Sequence, residues 1–316
     1  MARLFDRALI VGVGLIGSSL ARAMRERGLA GAIIGWDLDD GVLARARALG
    51  VIDEGAGGLA EGLHKADLVV VATPVGATGA LLADIAARAA PGAIVIDVGS
   101  VKGVVADAAL AASDRVRIVP CHPVAGTEQS GPDAGFAALF RERWCILTPL
   151  DRADASYRAA VETVSALWRA VGAKVEIMDA AHHDLALAVT SHLPHLIAFT
   201  LVGAADDIES VAEAEVVKYS AGGFRDFTRI AASDPIMWRD VFLHNREAVL
   251  EALGRFTEEL FLLQRAIRWG DGETLEKVFR RGRELRRAIV AAGQETAAPN
   301  FGRNEGGATV PRAGSD

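Results

Sequence analysis

The sequence predicts an α/β fold in its first half and an all-helical second half. Three observations carry this. Short β-branched runs alternate with amphipathic helical segments as far as Met178. Those runs are apolar on both faces, as strands of a parallel sheet covered on each side by helices must be. Beyond Met178 the alternation stops and only helical spacing continues. A length of 316 residues suits two domains of ordinary size.

Strands are expected at Leu9–Val13, Ala32–Trp36, Leu68–Ala72, Ala93–Asp97 and Arg117–Val119. Helices Leu15–Arg27, Gly41–Leu49, Gly76–Ala89 and Val101–Ala111 fall between them. Trp144–Thr148 and Lys174–Ile177, flanking a helix over Ala155–Ala170, extend the same layer. The sheet is therefore doubly wound and mostly parallel. Helices are then expected over Ala181–Ala205, Ile208–Tyr219, Pro235–Trp269 and Thr274–Ala292. Gly222-Gly223 interrupts them, and Ser233-Asp234-Pro235 is a helix start with proline in the first turn. The expected domains are residues 1–178 and 179–293. Residues 294–316, with only Phe301 and Val310 as large apolar side chains, are an expected disordered tail.

At 51% hydrophobic and 24% charged the chain has globular composition. A net charge of −7 disfavours a nucleic-acid partner, which would want a basic stripe. The two cysteines, Cys121 and Cys145, form no C-x-x-C pair, which argues for a reducing compartment and against structural zinc. The N-terminal apolar run mimics a secretory signal, but Asp6 and the glycine spacing account for it better. Leu185–Ala205 is long enough to span a bilayer, yet Ser191, His192, Pro194 and His195 fall in its middle. A soluble, cytoplasmic protein with no membrane partner is the expectation.

Gly12-Val13-Gly14-Leu15-Ile16-Gly17 follows one expected strand and opens a helix. In a Rossmann-type unit Gly12 turns tightly, Gly14 lets backbone approach a pyrophosphate, and Gly17 lets helix pack on strand. The amides of Leu15 and Ile16 then belong to a helix N-terminus, where phosphate is favoured. Asp37 closes the second strand 20 residues beyond Gly17, where a carboxylate accepts from ribose hydroxyls. Thr73 and Pro74, after the third long strand, are assigned to the same site. Asp37, Asp39 and Asp40 would repel a 2′-phosphate, and no Arg or Lys lies between Asp37 and Arg45, so NAD is expected over NADP.

Three polar clusters follow strand ends or lie in the helical half: Asp97-Val98-Gly99-Ser100-Val101-Lys102, Cys121 to Gly131 (CHPVAGTEQSG), and Ser191-His192-Leu193-Pro194-His195 with Gly222 to Ala231 (GGFRDFTRIA). Together with GVGLIGSSLA and SDPIMWRD, this ordered set resembles the prephenate/arogenate (cyclohexadienyl) dehydrogenases of tyrosine biosynthesis over nearly the whole chain except the tail. The resemblance implies a Rossmann-type domain, an all-α dimerisation domain, a homodimer and NAD-dependent oxidative decarboxylation of a small dicarboxylate. No appended regulatory domain or fused chorismate mutase is expected at this length.

Such chemistry needs an acceptor for the C4 hydroxyl proton, a cation for the carboxylates, and nicotinamide held against C4. His122 suits the first task, since a neutral imidazole can take a proton as charge develops. Taken alone it is as readily a buried structural histidine. Ser100 resembles the serine that orients it. Arg229 suits the second task through a bidentate guanidinium; Arg225 reads as surface charge. By resemblance Glu128 pairs with Arg229 and gates access, Thr127 and His195 contact substrate, and Trp238 reaches into the partner subunit's site. His192 reads as a packing residue. His182 and His183, beside Asp184, invite a metal reading, but a helix cap with solvent-facing imidazoles accounts for them, and no metal is expected. Two other readings keep the same scaffold: a hydroxyacid dehydrogenase or imine reductase, and a non-catalytic NAD-sensing regulator. The first lacks its helical-domain lysine here, since only Lys218 and Lys277 are present. The second has no need of His122, Ser100 and Arg229.

Overall fold

The computed structural model describes residues 2–112, 114–152, 154–207 and 222–291. By contact the chain divides into compact units Met1–Ala252 and Leu253–Asp316. The first unit is built on one sheet of eight strands in the order β3-β2-β1-β4-β5-β6-β7-β8. These are β1 Phe5–Val11, β2 Ala30–Trp36, β3 Glu54–Gly55, β4 Leu68–Val71, β5 Ile94–Asp97, β6 Arg117–Pro123, β7 Trp144–Leu147 and β8 Lys174–Ile177. All neighbours pair in parallel except β6 and β7. The chain leaves β1 toward β2, then returns to pair β4 against the other side of β1. That reversal opens a crevice at the strands' C-terminal ends, where doubly wound folds bind ligands. Residues Ala8–Val11 and Leu68–Val71 are buried on both faces, which accounts for their unbroken apolar runs.

Helices α1 Leu15–Arg27, α2 Asp40–Ala48, α3 Leu59–Leu63, α4 Val75–Arg88, α5 Gly103–Ala111 and α6 Ala155–Ala170 accompany the strands. The short β3 and α3 have too few residues to express a period, and the sequence reading lacks both. One strand boundary differs in a way that matters. β6 runs through His122 to Pro123 because Cys121, His122 and Pro123 pair with Leu147, Ile146 and Cys145 of β7. His122 thus sits on a strand, where backbone pairing holds it, and not in the loop that follows.

The helical half begins with α7 Ala180–Leu187, a π turn over Ala188–His192, and α8 Leu193–Asp207. Pro194 has no N–H to give to Thr190 and its ring crowds that carbonyl, so the turn ahead of it widens. Ala180–Ala205 is, among the described residues, the one stretch long and apolar enough to cross a membrane. Its His183, Asp184 and His192 are buried inside the protein. There follow α9 Gly222–Thr228, α10 Pro235–His244, α11 Arg246–Trp269 and α12 Gly272–Ala291. Asp234 caps α10 by accepting from Met237 N at 2.7 Å, with Pro235 in the first turn as expected. The single helix expected over Pro235–Trp269 is broken at Asn245, whose backbone leaves helical geometry (φ −108, ψ 34) while its side chain turns inward. The helix expected over Ile208–Tyr219 and the tail 294–316 lie outside the described residues.

A buried ion pair fixes the ends of β5 and β6. Lys102 and Asp97 are both fully buried and bonded to each other. Lys102 Nζ also donates to Cys121 O at 2.7 Å, and Asp97 accepts from Gly99 N at 2.9 Å and Cys121 N at 3.1 Å. Removing one partner strands the other charge without solvent. Lys102→Met is therefore expected to cost on the order of 3–5 kcal/mol of stability in urea unfolding, and a loss below about 1 kcal/mol would contradict this.

Candidate active site

The glycine loop fits a dinucleotide. Gly12 has φ +90, and a Cβ there would lie 2.7 Å from Ala72 O. A Cβ on Gly17 would lie 2.2 Å from Gly12 O, so helix and loop touch only because it is absent. Gly14 differs: a Cβ there would meet no protein atom within 4 Å. Its bareness serves an approach from outside the chain. No side chain caps the N-terminus of α1, which leaves the first-turn amides, including those of the half-buried Leu15 and Ile16, for a ligand. Asp37 ends β2 and accepts from Val13 N at 2.9 Å and Asp39 N at 3.1 Å, tying that strand to the glycine loop. Thr73 follows β4 beside Gly12 with its Oγ1 buried and unpartnered, and Pro74 precedes α4. Arg45, the first cation beyond the acidic run, is engaged by both carboxylate oxygens of Asp133, with Nε 3.0 Å from each.

His122 is 7% exposed, and its Nδ1 lies 2.8 Å from His183 Nε2. His183 is fully buried and its Nδ1 lies 2.7 Å from Asp184 Oδ1. This corrects the expectation of solvent-facing imidazoles. Only His182 is exposed; the Asp179 cap is real, accepting from His182 N at 2.8 Å. Asp184 also accepts from the amides of Lys102 and Gly103, each at 2.8 Å, at the start of α5. Burial, then the neighbouring His183, Lys102 and His192, hold the His122 pKa well below its ordinary value. Burial likewise lowers His183 against the opposing pull of Asp184. Burial raises the Asp184 pKa, but the bonds from His183, Lys102 and Gly103 outweigh it and leave the carboxyl below its usual range. Ser100 is half-buried in the loop after β5 and forms no hydrogen bond to His122.

A second cluster joins α8 to α10. The ring of His195 stacks on Trp238 at 3.7 Å, and His192 meets the same indole edge-on at 6.0 Å. Trp238 is 7% exposed within this chain and packed with Val75, Val101 and Val241. His192 is fully buried, and Asn245 Nδ2 lies 3.1 Å from its Nδ1. Its Nε2 and Trp238 Nε1 are buried donors without an acceptor among the described residues. Arg229 lies 3.7 Å from Glu128, and the guanidinium is half-exposed. Thr127 Oγ1 accepts from Gln129 N at 3.2 Å in the same loop. Arg225 is exposed beside Asp226, as surface charge. Among the described residues no three His, Cys, Asp or Glu side chains are arranged to hold a metal ion.

Residues 20–177 match the prephenate dehydrogenase nucleotide-binding domain, and residues 179–281 match the prephenate dehydrogenase dimerization domain. The chain belongs to the prephenate dehydrogenase family. Within it, the cyclohexadienyl dehydrogenase of Zymomonas mobilis is 39% identical over 285 residues, covering 90% of this chain and 96% of that protein. The prephenate dehydrogenase of Aquifex aeolicus, solved with hydroxyphenyl propionate and NAD+, is 37% identical with a TM-score of 0.83 over 90% of this chain and 98% of that one. The Synechocystis arogenate dehydrogenase is 27% identical with a TM-score of 0.73 over 90% of this chain and 99% of that one. The sequence singles out His183 and Asp184 only for a metal reading, and nothing in it ties them to His122. Their contact to His122 crosses 61 residues of chain.

The buried histidines make a testable pH statement. His192 is lowered to about 4 from 6.5, with burial the largest cause, so the native protein keeps it neutral where the unfolded chain protonates it. Below the unfolded value the unfolded state binds more protons, so stability falls as pH falls until the native value is reached. Inside that window His192 contributes a slope approaching about 1.4 kcal/mol per pH unit. Urea unfolding of the wild type is expected to weaken more steeply between about pH 6 and about pH 5 than that of His192→Asn. Parallel slopes for the two proteins would count against a neutral His192.

Proposed function

We propose that the chain catalyses NAD-dependent oxidative decarboxylation of prephenate, arogenate or both, with His122 as the proton acceptor. The observation that carries this is a neutral, buried imidazole fixed on the C-terminal end of β6, at the same edge of the sheet as the glycine loop. Gly12, Gly14, Leu15, Ile16, Gly17, Asp37, Thr73 and Pro74 would hold the dinucleotide, whose nicotinamide ring supplies the acceptor for hydride when bound. His122 accepts a hydrogen bond from the hydroxyl on ring C4 and takes its proton as hydride leaves that carbon with its electron pair. The bond to the ring carboxylate then breaks, CO2 departs, and the freed electron pair enters the ring. His122 returns the proton to the oxygen as the ring becomes a phenol. Ser100 lies one strand from His122 and contacts the reacting end. Arg229 binds a substrate carboxylate in exchange for Glu128, while Thr127, His195 and Trp238 line the remainder.

On this reading residues 1–178 form the cofactor domain and residues 179–293 the substrate and dimerisation domain, with 294–316 a tail that takes no part. A homodimer is supported by large apolar side chains left exposed on α10 to α12: Ile236, Leu250, Phe261, Ile267, Trp269 and Phe279. The chain works in the cytoplasm, with neither membrane nor nucleic acid as partner.

NADH formation is expected with prephenate or arogenate offered separately, and strongly less reduction of NADP. His122→Asn should lower kcat by roughly 10²–10⁴-fold with little change in substrate KM. Arg229→Ala should raise substrate KM, losing about 1.5–3 kcal/mol of charge-assisted binding. Near-normal kcat in His122→Asn would remove His122 from the role. The dimer has its own check. Light scattering at micromolar concentration should give twice the chain mass, and a fully active monomer would overturn that part of the proposal.

A further inference from the structure

Asp184, His183 and His122 form one line of short contacts, and the donors along it can be assigned from Asp184 outward. The Asp184 carboxylate accepts from two backbone amides that can only donate, Lys102 N and Gly103 N. It lies at the N-terminus of α5, where the dipole and free amides favour an anion. An ionised carboxylate has no proton to give, so the third bond must come from His183, whose Nδ1 carries hydrogen. His183 is buried and neutral, so with its proton on Nδ1 its Nε2 is bare. The short contact from that bare Nε2 to His122 Nδ1 is a hydrogen bond only if His122 donates it. A neutral His122 that carries its proton on Nδ1 leaves its own Nε2 lone pair free.

We propose that Asp184 and His183 are positioning residues that lock His122 into the Nδ1–H tautomer and so present a bare Nε2 to the substrate hydroxyl. The inference rests on the reading of His122 as proton acceptor. No proton has to travel along the line. While His122 holds the substrate proton on Nε2, its Nδ1–H remains bonded to His183, and the Asp184 charge steadies the transient imidazolium from two rings away. Lys102, His192 and Asp97 are the other charged or titratable groups acting on this pair. His182 lies next in sequence but is exposed and stands outside the line.

The test reverses the tautomer without emptying the site. In Asp184→Asn the amide oxygen can still accept from an α5 amide, but its NH2 donates to His183 Nδ1. That moves the His183 proton to Nε2, which then donates to His122 Nδ1 and forces the His122 proton onto Nε2. Histidine-selective ¹⁵N spectra of the full-length protein are expected to report His122 as Nδ1–H in the wild type and as Nε2–H in Asp184→Asn. The same variant should lose on the order of 10²–10⁴-fold in kcat while substrate KM stays within about twofold.

A second pair of variants guards against a folding defect. His183→Gln keeps an oxygen where Nε2 accepts from His122, and should retain kcat within about 10-fold of wild type. His183→Leu keeps volume without an acceptor and should fall at least about 100-fold. His182→Ala should leave turnover unchanged. A wild-type His122 found as Nε2–H, full kcat in Asp184→Asn, or equal loss in His183→Gln and His183→Leu would each overturn the proposal. A wild type that oxidises neither prephenate nor arogenate would overturn the functional reading instead, and the ring spectra would still decide the tautomer.

Discussion

The Asp184 carboxylate holds the two kinds of structure in this chain in register. It belongs to the first helix after the sheet, yet it receives the first amides of α5, a helix of the α/β layer. In doing so it caps α5, bonds His183, and brings the start of the long α7–α8 helix against the ends of β5 and β6. A second tie secures the same residue from behind, because Asn245 Nδ2 donates to Asp184 O at 2.8 Å. The break between α10 and α11 falls at Asn245, whose backbone leaves helical geometry at φ −108, ψ 34.

Around this tie the charges are arranged so that the imidazoles stay neutral. Lys102 is buried close enough to lower His122 and His183, but its own charge is matched by Asp97. Asp184 is ionised and could be expected to draw a proton onto His183, yet two backbone donors share its charge and burial opposes an imidazolium. The result is a strand end that carries a strong hydrogen-bond acceptor without a fixed positive charge. An imidazolium there could not accept a proton, and a solvated imidazole would hold no single orientation. The low dielectric that would make an unpaired group costly is also what gives the arranged donors their directional effect.

Much of the sheet was readable in advance because a parallel strand must be apolar on both faces, and runs such as Leu68–Val71 have no other good explanation. The glycine loop was readable because Gly12 and Gly17 have steric reasons in the fold and Gly14 has none except an outside approach. What escaped were features decided by contacts distant in sequence. His183 stands beside the exposed His182 in an apparently ordinary helix start, and only the fold turns one ring inward and the other out. β3 and α3 are shorter than any reliable period, and the extension of β6 depends on an antiparallel partner more than 20 residues later. The packing of Trp238 against Val75 and Val101 likewise joins α10 to residues far away in the sequence, and no local pattern announces it.

Cofactor choice shows the same dependence of a local property on a distant pairing. Asp37, Asp39 and Asp40 place negative charge after β2, but such a run alone does not exclude a 2′-phosphate if a guanidinium can swing beside it. Arg45, one turn into α2, is the side chain that could do so. Its guanidinium is instead engaged by Asp133, from the loop that carries the chain from His122 toward β7. That loop is itself pressed on α1, where a Cβ on Gly135 would lie 2.1 Å from Ser18 Oγ and Phe136 N donates to Ser19 Oγ at 3.1 Å. The loop after β6 therefore supplies the carboxylate with which Arg45 pairs. The acidic run after β2 was visible in the sequence; the pairing of Arg45 with Asp133, which joins residues 88 apart in the chain, was not.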